Sequence, residues 1–389
     1  MNPQYLDLSR SQLAVSWKRS RFNHYSDRRK QQFHDNLGQL YEILMAKDFC
    51  DPSLTKDDLH FYRNVLEFFK DSLALLSNNT ISSVPHEFIE CLNIAARQWL
   101  TDFDDYIIVM IDGQYAISPQ VEDFRMFYTL IKTRLGVEFN SILLKVCMPR
   151  QLSRDYLTNV CLFHELGHFI DEKLKISEGA YNDQLLKKWS KGKKGEIDKW
   201  FFNGNEAYHI VATPIGPQIK GELQSLFYLK EYFADLFGSQ YVGENVLNYL
   251  DYISDDPSID GLRHPSDDKR RQMYSDFTKS PSANPVLESL FESTLAQAKH
   301  GLMKKYVDVD QTDMHSFVPS ELLDEQQLLS LFKMGWDVYK SGSEPFEKQN
   351  NLSSPLPSDK IYECVNNLIE KSINNYLMIR DWNNAKKNL

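Results

Sequence analysis

The sequence lacks several features that would place it quickly in a class of proteins. None of its apolar runs approaches the roughly 18 to 20 residues of a membrane-spanning helix. Its first residues, Met1-Asn2-Pro3-Gln4, lack the apolar core of a secretory signal. Its five cysteines are scattered, without a C-x-x-C pair, which is typical of free thiols in a reducing compartment. We therefore expect a cytoplasmic protein with no membrane partner.

Positive charge is also in deficit. Lys and Arg total 44 against 54 for Asp and Glu, and the formal net charge of -10 argues against a protein that coats nucleic acid. The 42% hydrophobic and 13% aromatic residues are ordinary for a folded protein, which excludes disordered and collagen-like chains. At about 150 residues per domain, the 389 residues predict two to three domains.

The apolar pattern favours an α+β fold in three consecutive regions. We predict a helical N-terminal region over 1–100, a core of strands and helices over 101–280, and a helical C-terminal region over 281–389. Within the core, Asp112-Gly113 predicts a hairpin between strands at 106–111 and 114–117. A third strand is predicted at 141–147, and residues 176–220 are predicted to be a loop-like insertion.

Two features allow more than one interpretation. The strand at 141–147 is either a sheet edge, with which an extended substrate could pair, or an interior strand that only fills the core. The basic segments 18–30 and 187–194 could contact nucleic acid or an acidic protein. A solvated helix face is the more ordinary interpretation of both basic segments.

The residues with clear chemical meaning are His164-Glu165-Leu166-Gly167-His168, an H-E-x-x-H sequence in an amphipathic helix predicted over 156–174. Two histidines four residues apart lie about 40° from each other around a helix, so both imidazoles can reach one metal ion. Glu165 lies about 100° from His164, where its carboxylate can act on a water held by that metal. A helix with two incidental histidines is the alternative.

A later residue must complete such a site, because catalytic zinc normally takes three protein ligands and one water. Glu231 and Asp235 share one face of a predicted helix over 221–241 that is otherwise mostly apolar. We predict that Glu231 is the third ligand and that Asp235 accepts the outer N–H of a ligating histidine. Ala234 and Gly238 are small, as a close approach of two helices requires. The alternative is an ordinary solvated helix edge.

These motifs resemble those of a known family. H-E-L-G-H followed by E-Y-F-A-D is similar to the gluzincin zinc metallopeptidases, and His264-Pro265 followed by Arg270 resembles an element of their M48-like branch. The E-x-x-A-D portion also resembles the ImmA/IrrE-type regulatory peptidases and the catalytic domain of lethal-factor-like toxins. The resemblance covers about residues 105–275. It implies a zincin-like core, bound Zn2+ and hydrolysis of peptide bonds.

The sequence therefore predicts a zinc metalloendopeptidase that acts on a protein or peptide, with Glu165 as general base. His264 is the first candidate for the donor that stabilises negative charge on the substrate carbonyl, followed by Tyr228, Tyr232 and His209. The alternative is a regulatory or sensor protein of the same fold, with gated or no turnover, that binds a partner through its helical flanks. Glu165 favours catalysis, because structural zinc sites usually close with four protein ligands.

Overall fold

Helices dominate the computed structural model, and a three-stranded and a two-stranded sheet accompany them in the described residues, which is compatible with the predicted α+β class. The structure describes residues 3–80, 85–112, 119–122, 125–148, 152, 154–201, 210–213, 216–248, 250, 258, 260–261, 263–279 and 284–387. None of the helices within these ranges is both long enough and apolar enough to span a bilayer.

The helices in this part of the chain are α1 (Pro3–Ser20), α2 (Arg28–Ala46), α3 (Lys56–Ser77), α4 (His86–Arg97), α5 (Arg125–Leu135), α6 (Cys161–Leu174), α7 (Ile176–Gly179), α8 (Leu186–Lys188), α9 (Lys194–Phe201), α10 (Lys220–Val242), α11 (Asp267–Lys279), α12 (Pro285–Ala298), α13 (Thr312–His315), α14 (Glu325–Lys340), α15 (Glu344–Asn350) and α16 (Ser358–Lys387). The strands are β1 (Tyr106–Asp112), β2 (Pro119–Glu122), β3 (Ile142–Met148), β4 (Ile210–Thr213) and β5 (Gly216–Ile219).

The chain separates into two compact units. The first comprises residues 1–93 and 101–154 and contains α1 to α3, α5 and the three-stranded sheet. The second comprises residues 94–100 and 155–389 and contains the helices from α6 onward and the β4–β5 pair. This grouping differs from the predicted boundaries at 100 and 280, since the residues predicted as one core are divided between the two units.

β3 is the central strand of the sheet in the first unit. It pairs with β1 in parallel, as Ile107 with Leu143, and with β2 in antiparallel, as Val121 with Leu144. Because both edges of β3 are paired, its backbone is not available to an extended substrate. Of the two interpretations of 141–147, the interior strand is correct. The predicted hairpin partner at 114–117 lies outside the described residues.

Two cations of the N-terminal basic segment, Arg29 and Lys30, have structural contacts within the first unit. The Arg29 guanidinium donates to the carboxylate of Asp27 and to the carbonyl of Tyr106 on β1. Lys30 is buried, with its ammonium 3.4 Å from Oδ1 of Asn79, which also accepts from the backbone N–H of Met110. Lys18, Arg19, Arg21 and Arg28 remain exposed. The predicted solvated face therefore describes only part of this segment.

In the second unit, the loop-like insertion predicted over 176–220 is wrong for residues 176–201. Residues 176–201 are helical, in α7, α8 and α9 with π-helical turns between them, because Leu185, Ile197, Trp200 and Phe201 bury their side chains. In the lysine-rich patch, Lys188 pairs with Glu288 at 2.8 Å and with Glu292 at 3.3 Å. Residues 202–209 lie outside the described part of the chain.

Candidate metal centre

Two helices of the second unit, α6 and α10, carry the predicted ligands and pack closely at small residues. A Cβ added to Gly167 would lie 2.8 Å from the Cα of Ala234, and one added to Gly238 would lie 3.3 Å from the backbone nitrogen of His164. Side chains larger than these would separate the helices. The predicted close approach at Ala234 and Gly238 is confirmed, and Gly167 is its counterpart on α6.

The close packing brings His164, His168 and Glu231 together. One ligand atom from each of these residues lies within 4.8 Å of those from the other two, so the group could hold a metal ion. Nε2 of His164 lies 3.5 Å from Oε2 of Glu231, and Nε2 of His168 lies 3.4 Å from Oε1 of the same carboxylate. Two imidazole nitrogens and a carboxylate oxygen form a donor set that suits zinc and other first-row divalent metals.

Asp235 contacts the first of these histidines. Its Oδ1 lies 2.8 Å from Nδ1 of His164, and both side chains are buried. If Nδ1–H donates to this carboxylate, Nε2 on the side of Glu231 is the unprotonated nitrogen, which is the tautomer a metal ligand needs. Asp235 and Glu231 lie one turn apart on α10, so one helix supplies both the carboxylate of the candidate ligand group and the carboxylate that contacts Nδ1 of His164.

Arg270 on α11 is a member of the site whose role the sequence analysis does not assign. Its Nε and one terminal nitrogen each lie 2.7 Å from an oxygen of Asp235, and that terminal nitrogen lies 3.5 Å from Oε2 of Glu231. Burial raises the pKa of the Asp235 carboxyl, but the Arg270 guanidinium and His164 outweigh it and hold the pKa below its ordinary value. The bidentate pair therefore keeps Asp235 ionised as an acceptor for His164.

The other two carboxyl groups of the site, those of Glu231 and Glu165, have pKa values shifted in opposite directions. Burial also acts to raise the pKa of Glu231, but hydrogen bonds with His168 and His264 and the charge of Arg270 hold it well below its usual range. Burial raises the pKa of Glu165 to about 8, with the Glu231 carboxylate acting in the same direction and His168 against it. In the chain alone, Glu231 is thus ionised at neutral pH, whereas the Glu165 carboxyl favours its protonated form.

The four candidates for a donor to the substrate carbonyl differ in exposure and in the hydrogen bonds they already make. His264 is 64% exposed, and its Nδ1 lies 3.2 Å from Oε1 of Glu231. The Tyr228 hydroxyl donates to the carbonyl of Gly261 at 2.6 Å, and the Tyr232 hydroxyl donates to the carbonyl of Trp200 at 2.9 Å. Both hydroxyl protons are therefore used by the backbone. His209 lies outside the described residues.

Comparisons with protein-family models, with curated proteins and with solved structures give no match for this chain. A functional argument therefore rests on the geometry of the site itself. That geometry unites residues from three places in the sequence, around 164–168, 231–235 and 264–270.

Proposed function

We propose that the chain is a zinc-dependent metallopeptidase of zincin-like fold that hydrolyses peptide bonds in a protein substrate. The observation that carries the proposal is the group formed by His164, His168 and Glu231, with the buried Glu165 between the two histidines in the sequence. These residues fit a catalytic zinc site, which takes three protein ligands and keeps a further position for solvent. The resemblance of the two motifs to the gluzincins supports the same assignment.

His164, His168 and Glu231 would hold the zinc ion, and Asp235 with Arg270 would keep His164 in the tautomer that binds it. When bound, zinc acts as a Lewis acid that polarises a carbonyl oxygen and lowers the pKa of water towards about 7. The chain's own contribution is a ligand set with His164 and Glu231 buried and His168 partly exposed, on two helices that approach closely at Gly167 and Ala234.

Glu165 is the proposed general base and acid. Glu165 follows His164 directly on α6, about 100° further around the helix. It is not one of the three grouped ligands, so its carboxylate would remain available to a water molecule at the site. In this role its carboxylate takes a proton from the attacking water and delivers it to the departing amine nitrogen of the substrate. One carboxyl can do both because it keeps the proton between the two transfers.

His264 is the proposed donor to the oxygen of the scissile carbonyl. It is exposed, so a substrate can reach its imidazole, and its contact with Glu231 places it beside the ligands. Removal of one such donor typically costs about 2.7 to 4 kcal/mol of barrier. We therefore expect His264→Ala to lower kcat by about a hundredfold to a thousandfold with zinc content unchanged.

The decisive experiment separates metal binding from turnover. Wild type, Glu165→Gln and the matched control Glu172→Gln, an exposed glutamate on the same helix, are incubated with a denatured proteome, and new peptide termini are identified by mass spectrometry. The proposal expects cleavage by wild type and by the control, and none by Glu165→Gln although it still binds zinc. Equal cleavage by all three proteins would exclude Glu165 as the base.

Metal analysis tests the ligands independently of any substrate. Purified wild type should contain zinc in a molar ratio near one, and His168→Ala and Glu231→Ala should lower that ratio because each removes one of three ligands. His60, exposed on α3, supplies the control substitution His60→Ala, which should leave the ratio unchanged. A ratio near zero in wild type, after purification without chelators and incubation with zinc, would contradict the metal site.

A further inference from the structure

The second unit contains a cavity of about 440 Å³ between α10, α11, α12 and the irregular segment 299–311. Four of its nine lining residues are aromatic, namely Tyr274 and Phe277 on α11, Phe291 on α12, and Tyr306, and Leu302 and Met303 add aliphatic surface. Pockets for small ligands typically have about 300 to 1,000 Å³ and apolar, aromatic walls with a few polar groups. In size and composition this cavity therefore matches a small-molecule site.

The polar groups of the cavity indicate which ligand it suits. Among the described residues that line it, Lys304 carries the only charged side chain, and its ammonium lies 4.5 Å from the centre of the Tyr306 ring. Hydroxyls of Ser239 and Thr278 also line the cavity. A ligand with an aromatic or aliphatic body and one carboxylate satisfies both the apolar walls and the single cation.

The cavity is lined by α10 and α11, the two helices that also carry Asp235 and Arg270 beside the metal site. Ser239 follows Asp235 by one turn of α10, and its hydroxyl donates to the Asp235 carbonyl at 2.7 Å. Tyr274 follows Arg270 by one turn of α11. A change in the distance between α10 and α11 at the cavity would therefore also affect the contact between Asp235 and Arg270. Asp235 in turn contacts His164.

The segment 299–311 lines one side of the cavity and is hydrogen-bonded to α10 through Gln240. The carbonyl of Gln240 accepts from the backbone N–H groups of Lys305 and Tyr306, at 2.8 Å and 3.0 Å, and the Gln240 side chain accepts from the N–H of Met303 at 3.1 Å. A ligand held by this segment therefore bears directly on α10, the helix that carries Glu231.

We propose that this cavity binds a small apolar carboxylic acid and that its occupancy raises the zinc affinity of the metal centre by fixing α10 against α11. The binding stands on the cavity alone, whereas the coupling rests on the proposed metal centre. The proposal makes the chain a metallopeptidase whose metal centre responds to a small acid, and it differs from a plain peptidase in having a second ligand.

Calorimetry with two probes tests the binding. Phenylbutyrate supplies an aromatic body and a carboxylate, and phenylbutanol has the same skeleton without the charge. We expect one saturable phenylbutyrate site per chain, weakened roughly tenfold or more by Lys304→Glu and abolished by Thr278→Trp, which fills the cavity from an exposed position. Lys304→Glu should leave phenylbutanol binding unchanged.

Matched variants serve as controls. Thr278→Ser keeps the cavity open, and Lys387→Glu makes the same charge change at an exposed position outside the lining. Both should bind phenylbutyrate as wild type does. Absence of binding, or equal binding by Thr278→Trp and wild type, overturns the proposal whether or not the chain cleaves peptides.

Zinc affinity, measured by competition with a chromophoric chelator, tests the coupling without any peptidase assay. Saturating phenylbutyrate should raise it by about fivefold or more in wild type and not in Thr278→Trp. An unchanged zinc affinity with phenylbutyrate bound would overturn the coupling and leave the cavity as a binding site. Zinc binding that fails with and without phenylbutyrate contradicts the metal centre instead.

Discussion

Replacing Gly167 with alanine tests whether the close packing of α6 on α10 positions the metal ligands. The new Cβ would lie 2.8 Å from the Cα of Ala234 and 3.1 Å from its carbonyl oxygen. Both are backbone atoms, so no change of rotamer relieves the overlap. Because carbon atoms pack best at about 3.5 to 4.0 Å, the helices would have to separate locally by about 0.7 to 1.2 Å.

This separation acts on the ligands directly, since His164 and His168 lie on α6 and Glu231 lies on α10. Zinc sites tolerate errors of about 0.2 Å in ligand distance, so we expect the zinc affinity of Gly167→Ala to fall by tenfold or more. Overpacking costs about 1 to 3 kcal/mol, and the better helix propensity of alanine returns about 1 kcal/mol. The free energy of unfolding should therefore fall by about 2 kcal/mol at most, and the variant should stay folded.

The assay is zinc competition with a chromophoric chelator, combined with urea unfolding of the metal-free protein. Gly195→Ala is the matched control, because a Cβ on Gly195 would meet no atom within 4 Å, and it should leave zinc affinity unchanged. A Gly167→Ala protein that binds zinc as tightly as wild type would show that the ligand positions do not depend on this contact.

The remaining predictions concern buried charges. Arg270→Ala should lower the free energy of unfolding, measured in urea, by about 3 to 5 kcal/mol, because it leaves the Asp235 carboxylate buried without its guanidinium; adding Asp235→Asn should cost less than the sum of the two single changes. Asp235→Asn alone should weaken zinc binding about 10-fold to 100-fold in chelator competition, since the amide no longer orients His164 as an ionised acceptor. Lys30→Met should raise the free energy of unfolding at pH 7 by about 3 kcal/mol, because burial lowers the pKa of Lys30 from 10.5 to about 8. The fold disfavours protonated Lys30, so this penalty is full below about pH 8 and disappears as the pH rises to the ordinary value of 10.5; urea titrations across that window should show the advantage of the variant shrinking, and a constant difference would contradict the assignment.

The candidate ligands could be predicted because their geometry is local. The spacing of His164 and His168, and that of Glu231 and Asp235, places each pair on one face of a helix before any tertiary contact is known. The bounds of the helix were predicted less accurately, since α6 begins at Cys161 and the predicted helix began at residue 156. There the backbone N–H of Leu157 bonds to Asn366, and its carbonyl accepts from Trp336. Both partners are far along the chain, so no local pattern could report them.

Arg270 shows what the sequence could not supply. Its bond to Asp235 joins residues 35 positions apart on different helices, and a lone arginine in a charged stretch usually indicates a solvated surface. Its position six residues after His264 was visible, but that spacing carries no information about which acid it meets. The helical segment 176–201 was missed for a related reason, because its lysines concealed the buried positions of Leu185, Ile197 and Trp200.

The charges of the candidate site also bear on what it binds. Glu165, Glu231, Asp235 and Arg270 are all buried, and with every carboxyl ionised these four side chains leave two negative charges in a medium of low dielectric. Burial of such an excess is costly unless a cation or a proton offsets it. In the chain alone two groups of the site can take up such a proton: Glu165, the one carboxyl of the three whose pKa is raised, and His168, whose pKa Glu231 raises against the effect of burial. A divalent cation would offset both charges at once and release Glu165 as a base, so metal binding and the activation of Glu165 would be one electrostatic event.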